Sequence, residues 1–138
     1  MRPLLDTNVL VDVALARPGL RAASGAVVAW CMNNPGAGLL AVHSLATFAY
    51  LVGRGAGAGR MREFIADLVS GMDFARLERV EIKRALALPM ADFEDALVAA
   101  AAEGAAATHI VTRNTTDFRR SPVKAVTPEE FARLIEKA

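Results

Sequence analysis

The sequence predicts an α/β fold: one domain in three layers, α/β/α, around a central, mostly parallel, twisted sheet of about five strands. Three observations predict it. Short apolar runs alternate with amphipathic stretches at helical spacing along the whole chain. Several of those runs stop abruptly at polar residues, as at Asp6, at His43-Ser44 and at Thr112 to Asp117. The chain has 138 residues, 54% of them hydrophobic, which suits one buried core without repeats or an internal boundary.

The elements follow in order. Residues 2–5 read as a short buried strand ending at Asp6. Asp6-Thr7-Asn8 is rich in helix-capping side chains, and Val9, Leu10, Val13 and Ala14 repeat at helical spacing. Arg17-Pro18-Gly19 breaks that helix. A second spans 22–33 and stops at Asn33-Asn34-Pro35-Gly36. Residues 39–42 form the next strand, with Ser44 as the cap of a helix whose stripe is Leu45, Phe48, Ala49 and Val52. Gly55-Ala56-Gly57-Ala58-Gly59 reads as a flexible connection. Met61, Phe64, Ile65, Leu68 and Val69 mark a further helix, closed by Gly71. Residues 73–76 are a weak strand, and 78–88 a helix closed by Pro89.

An alanine-rich helix over about 92–102 opens with three acids, Asp92, Glu94 and Asp95. Asp92 and Asp95 stand three apart and share a face, whereas Glu94 is expected in solvent. Asp92 suits the N-cap and Asp95 the first turn, where the helix dipole favours negative charge. Residues 108–112 form the clearest strand, followed by the polar Arg113-Asn114-Thr115-Thr116-Asp117. Residues 124–126 read as an edge strand. Thr127-Pro128-Glu129-Glu130 is a helix start with Thr as cap, Pro first and Glu three residues on; Phe131, Leu134 and Ile135 are its apolar face.

Composition removes several classes of function. The formal net charge of +1 neither argues for nor excludes a nucleic acid partner. The lone Cys31, beside Trp30 and Met32, reads as a small buried hydrophobe and allows no internal disulfide. Asp6 interrupts the apolar start too early for a signal peptide, and no apolar run reaches the roughly 20 residues of a membrane span. A soluble, cytoplasmic protein is expected, with no membrane partner. His43 and His109 are isolated, which argues against zinc, and both read as structural. A receiver-type signalling domain shares the alternating plan. It needs an acceptor aspartate ending the middle strand and a later lysine, but Asp73 begins its strand and no lysine closely follows residues 108–112.

In open α/β sheets ligands bind beyond the carboxyl ends of the strands. Asp6, Asp92, Asp95 and Asp117 are expected at that edge. Several carboxylates brought together need a counter-charge, and oxygen donors suit Mg²⁺ or Mn²⁺. Such an ion activates water and neutralises charge on a phosphoryl oxygen, so a phosphodiester is the natural substrate.

Three stretches, in order, resemble the motifs of PIN domains, including the ribonuclease toxins of VapBC-type toxin–antitoxin pairs. They are Leu4-Leu5-Asp6-Thr7-Asn8-Val9-Leu10, Asp92-Phe93-Glu94-Asp95-Ala96-Leu97, and Ile110-Val111-Thr112-Arg113-Asn114-Thr115-Thr116-Asp117-Phe118. The resemblance implies Mg²⁺- or Mn²⁺-dependent cleavage of RNA, an antitoxin partner and a homodimer. It implies metal-site roles for Asp6, Asp95 and Asp117, with Asp92 as a further catalytic acid and Asn8, Thr47, Thr112 and Asn114 in support. Asn114 stands at a position often acidic in the family. Thr47 stands about where many members carry a glutamate, a departure that Asp92 is expected to offset. Arg113 and Arg119 are expected to meet RNA phosphates.

Overall fold

A computed structural model describes residues 1–138. The strands are β1 (Pro3–Leu5), β2 (Leu39–Ala41), β3 (Asp73–Ala75), β4 (His109–Val111) and β5 (Ala125–Val126). The helices are α1 (Thr7–Ala14), α2 (Arg21–Asn33), α3 (Val42–Ala56), α4 (Ala58–Gly71), α5 (Arg79–Ala87), α6 (Phe93–Gly104) and α7 (Pro128–Lys137). A single 3-10 turn covers Thr115–Phe118. All strand pairings are parallel, in the order β3-β2-β1-β4-β5.

The strands are only two or three residues long, so nearly every residue in them must serve one layer or the other. Alternation along the backbone does this. Leu4, Leu39, Ala41, Ala75 and Ile110 face one layer, where they pack with the alanines of α6, with Ala85 of α5 and with Phe118. Leu5, Leu40, Val111 and Val126 face the other layer, built from α1, α2, α3, α4 and α7 around Val9, Val27, Phe48, Leu68 and Phe131. The three layers expected from the sequence are therefore present. Small side chains explain why α6 can lie so close to the sheet: Ala96 and Ala99 to Ala102 are all buried.

Cys31 lies in the second core, and burial pushes its thiol up to about 12. His109 stacks edge-on against Phe131, with ring centroids 5.7 Å apart.

Two expectations need correction. The Gly-Ala stretch over 55–59 is not a flexible connection: α3 runs to Ala56 and α4 starts at Ala58. Gly57 alone breaks the helices, with φ of 91°, where a side chain would be strained. A Cβ at Gly55 would come 2.8 Å from Leu15 Cδ2, so the tip of that side chain packs over the glycine. Ser44 is likewise no cap. The α3 N-cap is Ala41, and Ser44 sits inside the helix, with a buried hydroxyl lacking a hydrogen-bond partner.

The strand order places the site. From β1 the chain adds β2 and β3 on one side, then crosses to add β4 and β5 on the other. The connections leaving β1 and β4 therefore part in opposite directions, and a crevice opens beyond their carboxyl ends.

Candidate active site

Asp6 follows the last residue of β1 and caps α1. Its backbone N–H still belongs to the sheet and donates to the Val111 carbonyl of β4 at 2.9 Å. The carboxylate is fixed from two sides. Thr7 N–H donates to Oδ1 at 2.9 Å, and the fully buried Thr112 hydroxyl donates to Oδ2 at 2.8 Å. Asn8 Nδ2 lies 3.3 Å from both Asp6 Oδ2 and Thr112 Oγ1, and Asn8 Oδ1 accepts from Arg113 N–H at 3.3 Å. Asn114 N–H donates to Thr112 Oγ1 at 3.1 Å. Asn8, Thr112 and Asn114 thus tie the ends of β1 and β4 together and aim Asp6. Burial raises the Asp6 pKa, the bonds from Thr112 and Thr7 lower it, Glu94 raises it further, and His43 opposes that rise.

Asp95 approaches from the opposite layer at the first turn of α6. Asp92 is the N-cap, and its Oδ1 accepts from Asp95 N–H at 2.9 Å. The capping role read for Asp92 is therefore present, and it holds the helix end beside Asp6. The Asp95 carboxyl is pushed up to about 7, first by burial and then by the charges of Asp92, Asp6, Asp117 and Glu94. Every sequence-predicted acid is thus close enough for Asp95 to feel it.

Glu94 is the residue sequence reasoning missed. It is exposed, as expected, yet it lines the same crevice as Asp6, Asp92 and Asp95, and its Oε1 lies 3.3 Å from the Thr47 hydroxyl. Thr47 lies in the second turn of α3, so this bond joins the two helical layers across the sheet edge. Glu94 of α6 thus brings a carboxylate to the Thr47 hydroxyl of α3. The signal for it was position: second in a helix, Glu94 reaches past the helix end instead of out from its side.

The remaining predicted residues divide. Asn114 lines the crevice with Asp6. Asp117 lies in the 3-10 turn and lines a neighbouring cleft with Asp92, Arg119, Arg120 and Met90. Arg113 points inward, its Nε donating to the buried Asp12 at 2.8 Å.

The donors at this edge are oxygen atoms, and their mutual repulsion is what a hard divalent cation relieves, so the residues fit Mg²⁺ or Mn²⁺ in kind. No three Asp, Glu, His or Cys side chains stand close enough together to enclose an ion by themselves.

A titration test follows. An unfolded aspartate has a pKa of about 3.9, and Asp95 in the fold is higher, so the native state holds the extra proton between those values. Its ionisation therefore removes stability as pH rises from about 4 through about 7, and the penalty is complete above that. Asp95→Asn is expected to stabilise the metal-free protein by about 1–2 kcal/mol at pH 8, after discounting for screening at a half-exposed side chain. The gain should shrink towards pH 5. Urea denaturation at both pH values in EDTA measures it; a gain that grows on acidification would contradict the assignment.

The fold and its crevice define a class: a parallel α/β protein with acids gathered at the switch of strand order. The family model described as PIN domain matches residues 2–116, and the chain belongs to the PIN-domain family. Comparison with curated protein sequences gives no match. Among solved structures, the fold is similar to a chain of VapBC2 from Rickettsia felis, solved bound to a promoter DNA fragment. That likeness has a TM-score of 0.71 and 18% identity, over 92% of this chain and 98% of that one. A toxin–antitoxin complex from Klebsiella pneumoniae gives 0.67 and 25% identity, over 91% and 97%. VapC20 from Mycobacterium tuberculosis, described as a sarcin-ricin loop cleaving toxin, gives 0.64 and 14% identity, over 78% and 86%.

Proposed function

We propose that this chain is a Mg²⁺- or Mn²⁺-dependent ribonuclease and the toxin of a toxin–antitoxin pair. The observation that carries the reading is the convergence of Asp6, Asp92, Glu94 and Asp95 on one switch-point crevice. The four come from both sides of the sheet edge, and the Asp95 carboxyl is pushed up to about 7 among them.

Asp6 and Asp95 would hold the cation. Glu94 adds the charge that Thr47 does not supply, and Asp117 lends charge from the adjoining cleft. A bound Mg²⁺ or Mn²⁺ supplies a water of lowered pKa and neutralises charge developing on a phosphoryl oxygen. Thr112 and Asn8 hold the Asp6 carboxylate in one orientation, so it need not reorganise during reaction. Asp92 keeps Asp95 at the crevice by capping its helix. Arg119, exposed in the adjoining cleft, would meet RNA phosphates.

An antitoxin partner is supported by the fold likeness to chains of toxin–antitoxin complexes. A homodimer remains part of the reading as a family expectation. No helix is long and apolar enough to cross a membrane.

A second reading is a PIN domain that binds RNA or a protein without cutting. Thr47 favours it, being a hydroxyl at the motif position where many members carry an acid. The deciding measurement is cleavage of RNA by the full chain in Mn²⁺ or Mg²⁺, repeated with Asp6→Asn and Asp95→Asn. Metal-dependent cleavage lost in both variants supports the nuclease; activity indifferent to both would end that reading.

A further inference from the structure

Asp12 belongs to α1, is 0% exposed, and takes no part in the acid cluster. Three donors reach it. Arg113 Nε donates to Oδ2 at 2.8 Å, Ser24 Oγ to the same oxygen at 3.3 Å, and Arg17 Nη1 to Oδ1 at 3.3 Å. Burying a carboxylate costs several kcal/mol unless it is paired. Arg113 and Ser24 already meet that need. The group of three charges, one negative and two positive, keeps one positive charge in excess.

That excess sits at the crevice. Arg17 lines it together with Asp6, Glu94 and Asp95, and it is the only basic residue to do so. It nevertheless makes no ion pair with any of them; its one carboxylate partner is Asp12. A free arginine beside four carboxylates would fold onto them. Asp12 prevents this, and the backbone helps. The left-handed Ala16, with φ of 49°, ends α1. Arg17 N–H then donates to the Asp12 carbonyl at 3.0 Å, and the Arg17 carbonyl accepts from Arg21 N–H at 3.0 Å. Main chain and side chain of Arg17 are both referenced to Asp12.

A guanidinium carries five N–H donors in a planar fork suited to phosphate. The Asp12 bond uses one. The side chain is 38% exposed, and its remaining donors have no other hydrogen-bond partner.

We propose that Arg17 is a phosphate-binding residue, held at the crevice rim by Asp12, which grips a backbone phosphate of RNA next to the acid cluster. This rests on the ribonuclease reading for the identity of its ligand. The contact is independent of metal, so it can be read without turnover. It gives the polyanion one fixed attachment at an edge that otherwise repels it. Asp12 is a positioning residue, with no ligand contact of its own.

The test is fluorescence anisotropy of a short labelled single-stranded RNA with the full chain in EDTA, across a salt series, with polyglutamate as competitor. KM and kcat for RNA cleavage in Mn²⁺ are measured in parallel. Arg17→Gln should weaken RNA binding roughly tenfold and make the slope of log K against log salt shallower by about 0.7. It should raise KM more than it lowers kcat. Arg17→Lys should keep the slope, because charge is retained, while recovering only part of the affinity. Arg113 and Ser24 still satisfy Asp12 in both variants, so melting temperatures should stay near wild type.

Unchanged affinity and slope in Arg17→Gln, or no measurable RNA binding by wild type, overturns the proposal. So does polyglutamate binding that depends on Arg17 where RNA binding does not, which would assign the residue to an acidic partner protein. If wild type cleaves RNA and Arg17→Gln keeps its KM, the phosphate contact fails and the nuclease stands. If wild type binds RNA through Arg17 and never cleaves it, the nuclease fails and the contact stands.

Discussion

Asp95→Asn is expected to slow Mn²⁺-dependent RNA cleavage by at least about a thousandfold, equivalent to roughly 4 kcal/mol of barrier. Asp6→Asn should do the same. The reason is charge, since asparagine keeps the shape and leaves an oxygen but removes the anion that draws in the cation. The two variants should differ in stability. Asp6→Asn disturbs the 2.8 Å bond from Thr112 inside the crevice wall, whereas Asp95→Asn relieves repulsion in the metal-free state. Calorimetric titration with Mn²⁺ separates loss of binding from loss of a chemical step. Wild type should gain thermal stability with added Mn²⁺, about 2.7 kcal/mol at a hundred times Kd, and Asp95→Asn should gain little. Glu94→Gln is the informative companion. If Glu94 replaces the charge missing at Thr47, its removal weakens Mn²⁺ binding; equal Mn²⁺ affinity in wild type and Glu94→Gln would leave the bond to Thr47 as a structural contact alone.

The second large effect is on the fold. Asp12→Ala should cost about 3 kcal/mol, near the lower end for breaking a buried ion pair, because both arginines are partly exposed. The mutation leaves the Arg113 guanidinium turned inward without its carboxylate, and strands the buried Ser24 hydroxyl. Urea unfolding should show a lower midpoint at unchanged slope. Asp12→Asn keeps an acceptor and should lose less. Arg17, released, is expected to turn onto the acids, so Mn²⁺ affinity should fall as well. A stability loss below about 1 kcal/mol in Asp12→Ala would show that solvent already screens the pair.

Much of the site was legible because it is made at element junctions. Asp6 ends a strand and starts a helix; Asp92 caps a helix and Asp95 follows in its first turn. Each of these follows from a few adjacent residues, and three such stretches in order carried the resemblance to PIN domains. Glu94 was misplaced because helical periodicity describes the sides of a helix, not its end. Arg113 was expected at RNA because a loop arginine beside a site looks free; nothing near it in sequence announces Asp12, 101 residues away. The Gly-Ala stretch reads as flexible because glycine marks both loops and tight breaks between helices, and only the fold shows two helices parted at Gly57 alone.

By itself, then, the sequence determined the alternation of strand and helix, the caps at Asp92 and Thr127, and the place of Asp6 at the end of the first strand. These are set by local backbone preference and by which residues must leave water. Only the tertiary structure decided that β4 lies beside β1, so that Thr112 orients Asp6. Only it decided that Glu94 reaches the Thr47 hydroxyl and that Arg17 pairs with Asp12 and not with the crevice acids. Those outcomes depend on burial and charge pairing between residues distant in the chain, which no local pattern encodes.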